Sequence, residues 1–173
     1  MDINSVSNFA EEIHQELGLE RNFNIEELVG KLGGRIEECK LPTGVVAQIA
    51  TCPETSDFII KISDDYNVEG RKRFSIAHEL GHLFLHMDFL DEDKWKENVS
   101  NNRMYNRLGI SVGREELEAN AFAAAFLMPR KEFLECVKEN TSLAECDIKK
   151  IAEEFDVSYQ SAYYRGINLG VWI

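Results

Sequence analysis

The chain has 173 residues, 44% of them apolar, with 19 Lys plus Arg against 31 Asp plus Glu and a formal net charge of −12. That is one domain's length, and a chain of this size buries roughly two thirds of its unfolded surface without staples. The negative balance excludes bulk phosphate-backbone binding, which needs clustered Lys and Arg, and disfavours adsorption on anionic membranes. Residues 1–17 lack the basic and apolar regions of a secretory signal, and the longest apolar run, 121–128, falls far short of the ~20 residues that span a bilayer. A soluble, cytoplasmic protein is expected. Cys39, Cys52, Cys136 and Cys146 show no C-x-x-C pair or zinc-knuckle spacing and read as small buried hydrophobes.

In chain order, Val6, Phe9, Ala10, Ile13 and Leu17 recur at helical spacing before Gly18, a suitable C-cap. Asn24 with Glu27 starts a short second helix carrying Ile25, Leu28, Val29 and Leu32, ended by Gly33 and Gly34. Three extended segments follow, 35–41, 45–51 and 58–63, parted by turn residues at 42–44 and 52–54. Their β-branched content predicts a small antiparallel sheet. The strand 58–63 is a candidate edge for a substrate to extend, or an ordinary interior strand. A long helix is expected over 68–87, another over 112–128, and a third from Pro129. The stretch 88–109 between the first two is a binding loop or a surface excursion. Two short helices, 148–155 and 158–167, joined by Asp156 and Val157, complete an α+β domain spanning 1–173. Its core covers about 1–130 and a helical appendage about 131–173.

His78-Glu79-Leu80-Gly81-His82 is an H-E-x-x-H pattern. Residues four apart share a helix face, so both imidazoles reach one Zn2+ ion while Glu79 takes a proton from the attacking water. At ~100° per residue, Ser75, His78, Glu79, His82 and His86 make one polar stripe on a helix otherwise apolar. Such a helix is buried, and a buried His/Glu stripe needs partners. A tetrahedral zinc requires a third protein ligand. His86 lies two turns from His78, about 12 Å along the axis, and no Gly bends the chain between His82 and His86, so it is assigned to supporting the site. The better ligand is Glu116, with Asn120 four residues on holding a ligand imidazole. Glu118 points ~200° away from Glu116, so both cannot ligate.

Residues 73–82, Leu85-His86, 116–124 and 126–129 together resemble the ImmA/IrrE zinc metallo-endopeptidases, with both blocks in that family's order. The resemblance implies a zincin-like, gluzincin-type core with one catalytic zinc. It also implies an anti-repressor of bacteria or mobile genetic elements that cleaves a helix-turn-helix transcriptional repressor. The family's E-x-x-A-[ND] block maps its third ligand to Glu116, with Glu118 as the alternative because it also precedes Ala119-Asn120. The tail has helix-turn-helix spacing, yet between 148 and 173 its only cations are Lys149, Lys150 and Arg165. A packing element or substrate-docking surface is therefore expected in place of a DNA reader. The competing readings are a non-catalytic metal-containing module that sequesters a repressor, and a DNA-binding regulator.

Overall fold

The computed structural model describes residues 1–52, 54, 57–64, 69–101, 104–108, 113–142 and 145–172. The expected turn residue Pro53 and the expected helix starts at Val68 and Val112 lie outside these. Helix α1 (Ile3–Glu16) begins where the Asp2 carboxylate accepts from the backbone N–H groups of Asn4 and Ser5, and it buries Val6, Ala10 and His14 along one face. Helix α2 (Ile25–Lys31) starts the same way at Asn24 and stops before Gly33, whose φ of 86° ends the helix.

Four strands follow, β1 (Gly34–Cys39), β2 (Val45–Cys52), β3 (Asp57–Ser63) and, much later, β4 (Met104–Leu108). Their order is β1-β3-β2-β4, with β3 antiparallel to β2 but parallel to β1. The sheet is thus mixed, which corrects the antiparallel expectation. The chain leaves β1, skips one place to lay down β2, and returns through β3 into the gap. Gly34 faces Phe58 in that parallel pair, and a β-carbon on Gly34 would sit 2.3 Å from the Phe58 ring. The ring lies over bare backbone, so glycine there sets the register. Being interior, β3 is not an edge for substrate; among the described strands the edges are β1 and β4.

Helix α3 (Glu69–His86) packs between β2 and helix α5 (Arg114–Leu127). Between them in sequence, 88–109 is not a bare excursion. It holds helix α4 (Glu92–Ser100), started at Asp91, whose Trp95 and Val99 are buried, and then β4. Gly81 lets α3 and α5 close up, since a β-carbon there would lie 3.1 Å from the Ala119 Cα and 3.2 Å from its carbonyl oxygen. Gly81→Val should therefore cost about 1–3 kcal/mol by overpacking, read as a lower urea midpoint at unchanged slope.

After Pro129 come α6 (Arg130–Glu139), a two-residue ladder of β5 (Thr141–Ser142) with β6 (Glu145–Cys146), then α7 (Ile148–Glu154) and α8 (Tyr159–Asn168). Phe133, Phe155 and Ala162 from this end join the same buried apolar cluster as Val6, Ile60, Leu80 and Phe122. Cys52 and Cys136 are buried, Cys39 and Cys146 half-buried, and all four are free thiols. Arg165 points inward. It is 4% exposed, and its Nε donates to the Met128 carbonyl at 2.9 Å while Nη2 donates to Glu11 at 2.7 Å.

Candidate metal centre

Helix α3 aims His78 and His82 at α5, and both rings, with Glu79, are 0% exposed. From α5, one helical turn apart on the facing side, come Glu116 and Asn120. The two imidazole Nε2 atoms lie 3.1 Å apart. Glu116 brings one carboxylate oxygen to 3.2 Å from His78 Nε2 and the other to 3.2 Å from His82 Nε2.

The far side of each ring fixes what those Nε2 atoms carry. His78 Nδ1 is 2.9 Å from the Asn120 amide oxygen, which only accepts, so Nδ1 holds the hydrogen. His86 Nε2 is 3.1 Å from a Glu118 carboxylate oxygen and so donates to it. A His86 ring carrying a single hydrogen, on Nε2, accepts at Nδ1 from His82 Nδ1, 3.0 Å away. Both Nε2 atoms therefore present lone pairs toward each other and toward a carboxylate. Three acceptors this close repel unless a proton or a cation lies between them. Burial first, and the neighbouring His78 second, push His82 down to a pKa of about 3, which disfavours a second proton on that ring.

A cation fits. Zinc bonds of about 2.0–2.1 Å in a tetrahedron set neighbouring ligand atoms about 3.3 Å apart, close to the separations of these three groups. Imidazole nitrogen with one carboxylate is also a donor set that suits zinc.

Glu118 does not join this triangle. It is 7% exposed and takes up a different role, accepting from the Met1 amino group at 3.0 Å, His86 at 3.1 Å and Arg114 at 3.2 Å. The Met1 ammonium chiefly, then His86 and Arg114, hold its carboxyl down at about 2 against the opposing effect of burial. His82, His86 and Glu118 thus form a chain behind one prospective ligand, as Asn120 does behind the other. Sequence reasoning placed His86 beside the site but missed Glu118 as its anchor. A signal existed: Glu118 is charged amid Ala119, Phe122 and Ala123, a setting that calls for a buried partner. Loss of such outer partners costs about 10–100-fold in metal affinity. Asn120→Ala and His86→Ala should each weaken zinc binding by that order in chelator competition, whereas an unchanged affinity would show that the rings hold their orientation alone.

Cys136, Glu139 and Glu154 also lie close enough to share an ion. Arg21 already bridges the two carboxylates at 3.0 Å each, and burial pushes the Cys136 thiol up to about 12, away from the thiolate a metal needs. That cluster is an ion pair with a buried thiol.

The fold matches that of a Mycobacterium tuberculosis transcriptional regulator with a TM-score of 0.60 at 20% identity, over 93% of this chain and 46% of that one. The chain thus spans about half the length of that protein, and the likeness concerns the fold. No curated protein sequence matches the chain. The model of the IrrE N-terminal-like domain, Peptidase_M78, matches residues 35–166, which include all of α3, α5 and the His78–His82–Glu116 cluster, and the chain belongs to that metallopeptidase family.

Proposed function

We propose that this protein is a zinc-dependent endopeptidase that cleaves a helix-turn-helix transcriptional repressor in the cytoplasm. The observation that carries the reading is the buried triangle of His78 Nε2, His82 Nε2 and the Glu116 carboxylate, three acceptors held within 3.2 Å of one another. His78, His82 and Glu116 would hold one zinc ion. Bound there, zinc supplies a Lewis acid that polarises a peptide carbonyl and acidifies water.

The remaining work falls to the chain itself. Glu79 follows His78 on α3 and is fully buried, so its carboxylate sits in a setting of low dielectric beside the reacting atoms. It takes the proton of the attacking water and passes it to the departing amine. Asn120 and His86 keep both rings in the tautomer that leaves Nε2 unprotonated.

The repressor as substrate rests on the family resemblance, and two features of the chain support a protein partner over DNA. The net charge of −12 attracts a basic DNA-binding protein. With Arg165 turned inward, the α7–α8 pair keeps only Lys149 and Lys150 as outward cations, too few for a phosphate-binding face. Among the described residues no helix is long and apolar enough to cross a membrane.

The test is to incubate the zinc-loaded protein with the purified repressor encoded beside it and to measure intact masses with and without a chelator. Two fragments whose masses sum to the repressor plus one water, absent with chelator, are expected. An uncut repressor under zinc-loaded conditions overturns the proposal.

A further inference from the structure

Three large apolar side chains left exposed, Ile3, Leu117 and Tyr164 at 47%, 54% and 54%, converge on one place. They border a 570 Å³ groove between the start of α1, the outer face of α5 and α8, closed on one side by Phe74 of α3. Ala121 and Ala124 of α5 leave the space that larger residues would fill. Scattered exposed apolar residues need no account, but a convergent set over a cavity marks a binding surface.

The lining is also neutral, in a chain of net charge −12. Its one charged residue is Arg165, whose guanidinium is bound to Glu11 and the Met128 carbonyl. The polar groups that remain are amides and hydroxyls, among them the Gln160 and Asn168 amides, the kind that pair with peptide N–H and C=O groups. The groove ends behind the metal centre, lined by none of His78, Glu79, His82 and Glu116. Ser75 lines it one turn before His78 and Glu79 on α3, and Asn120 lines it while holding His78 Nδ1.

We infer that the groove binds an uncharged, apolar stretch of the substrate polypeptide, at a distance from the residues that would hold the scissile bond. That this polypeptide is a substrate rests on the endopeptidase reading; the binding of such a stretch does not. Apolar side chains fill the space over Ala121 and Ala124, against Leu117 and Tyr164, and the peptide backbone meets the amides at the rim.

The test uses zinc-loaded Glu79→Gln protein and a mixture of synthetic nonapeptides randomised at their central positions. Peptides that co-elute with the protein on gel filtration are identified by mass spectrometry. Peptides with consecutive uncharged apolar residues should be enriched about tenfold over charged ones, the scale on which an apolar pocket discriminates. Leu117→Asp and Tyr164→Asp, each at a site more than half exposed, should erase that enrichment while zinc content and the unfolding midpoint stay put. Leu117→Arg should redirect it toward acidic peptides, which a merely structural role would not do. No retained peptide, enrichment indifferent to all three variants, or variants that change only the oligomeric state each overturn the inference, the last by assigning the groove to a second copy of the chain. The wild-type protein on the same mixture separates the two claims. Retention without cutting leaves the groove standing and removes the hydrolase; cutting with flanking preferences unaffected by the variants does the reverse.

Discussion

Glu79→Gln is expected to bind one zinc per chain as tightly as the parent protein and to cut the repressor about a thousandfold more slowly. Glu79 is absent from the triangle formed by His78, His82 and Glu116, so its charge is not needed to hold the ion. The amide matches the carboxylate in shape at a site that is 0% exposed, which keeps the packing of α3. What the amide lacks is a lone pair basic enough to take a proton, and a positioned general base contributes about 10²–10⁴ in rate. The measurement is metal content beside kcat/KM on the repressor. The same variant decides between hydrolysis and sequestration. If Glu79→Gln relieves repression in cells as well as the parent does, the protein acts by holding its partner, and the metal is structural.

The ease with which this site is read from sequence follows from locality. His78, Glu79 and His82 are related by the geometry of a single helix, as are Glu116 and Asn120, and the observed helices α3 and α5 lie within the expected spans 68–87 and 112–128. What no helical period reports is the height at which α5 sits against α3. That height is set by Gly81 against Ala119, and it brings Glu118 to His86, 32 residues away. The sheet shows the same division. The strands are legible from β-branched runs, but β3 enters between β1 and β2 through contacts between separate strands, such as the Phe58 ring over Gly34. In 88–109 the polar composition hides α4, because Trp95 and Val99 are its only apolar residues, and Trp95 packs on the Phe89 ring, 5.1 Å away, ahead of the helix. Strand β4 is likewise held by its pairing with β2, some sixty residues earlier in the chain.

Arg165 is the residue whose chemistry reads most differently once folded, and Arg165→Met is expected to lower stability by about 3 kcal/mol. As one of three cations in a helix-turn-helix-like tail, it looks outward in sequence. In the fold it crosses 154 positions to reach Glu11 and is 4% exposed. Breaking a buried pair from one side costs about 3–5 kcal/mol, most of it from the uncompensated partner. Here the lower end applies, because the Glu11 side chain keeps 26% exposure and still accepts from the Arg130 backbone N–H at 3.0 Å. The Met128 carbonyl is the costlier loss, since Met128 is 0% exposed and gives up the Nε–H of Arg165. Urea unfolding of Arg165→Met, Glu11→Gln and the double variant measures this directly. A coupling of about 1–3 kcal/mol between the two sites is expected, largely insensitive to salt because the pair is buried. An unfolding midpoint equal to the parent's, together with weakened retention on DNA at low salt, would instead return α8 to the surface as a nucleic-acid face. The expected result places the tail's one internal cation in service of the joint between α1, the end of α5 and α8.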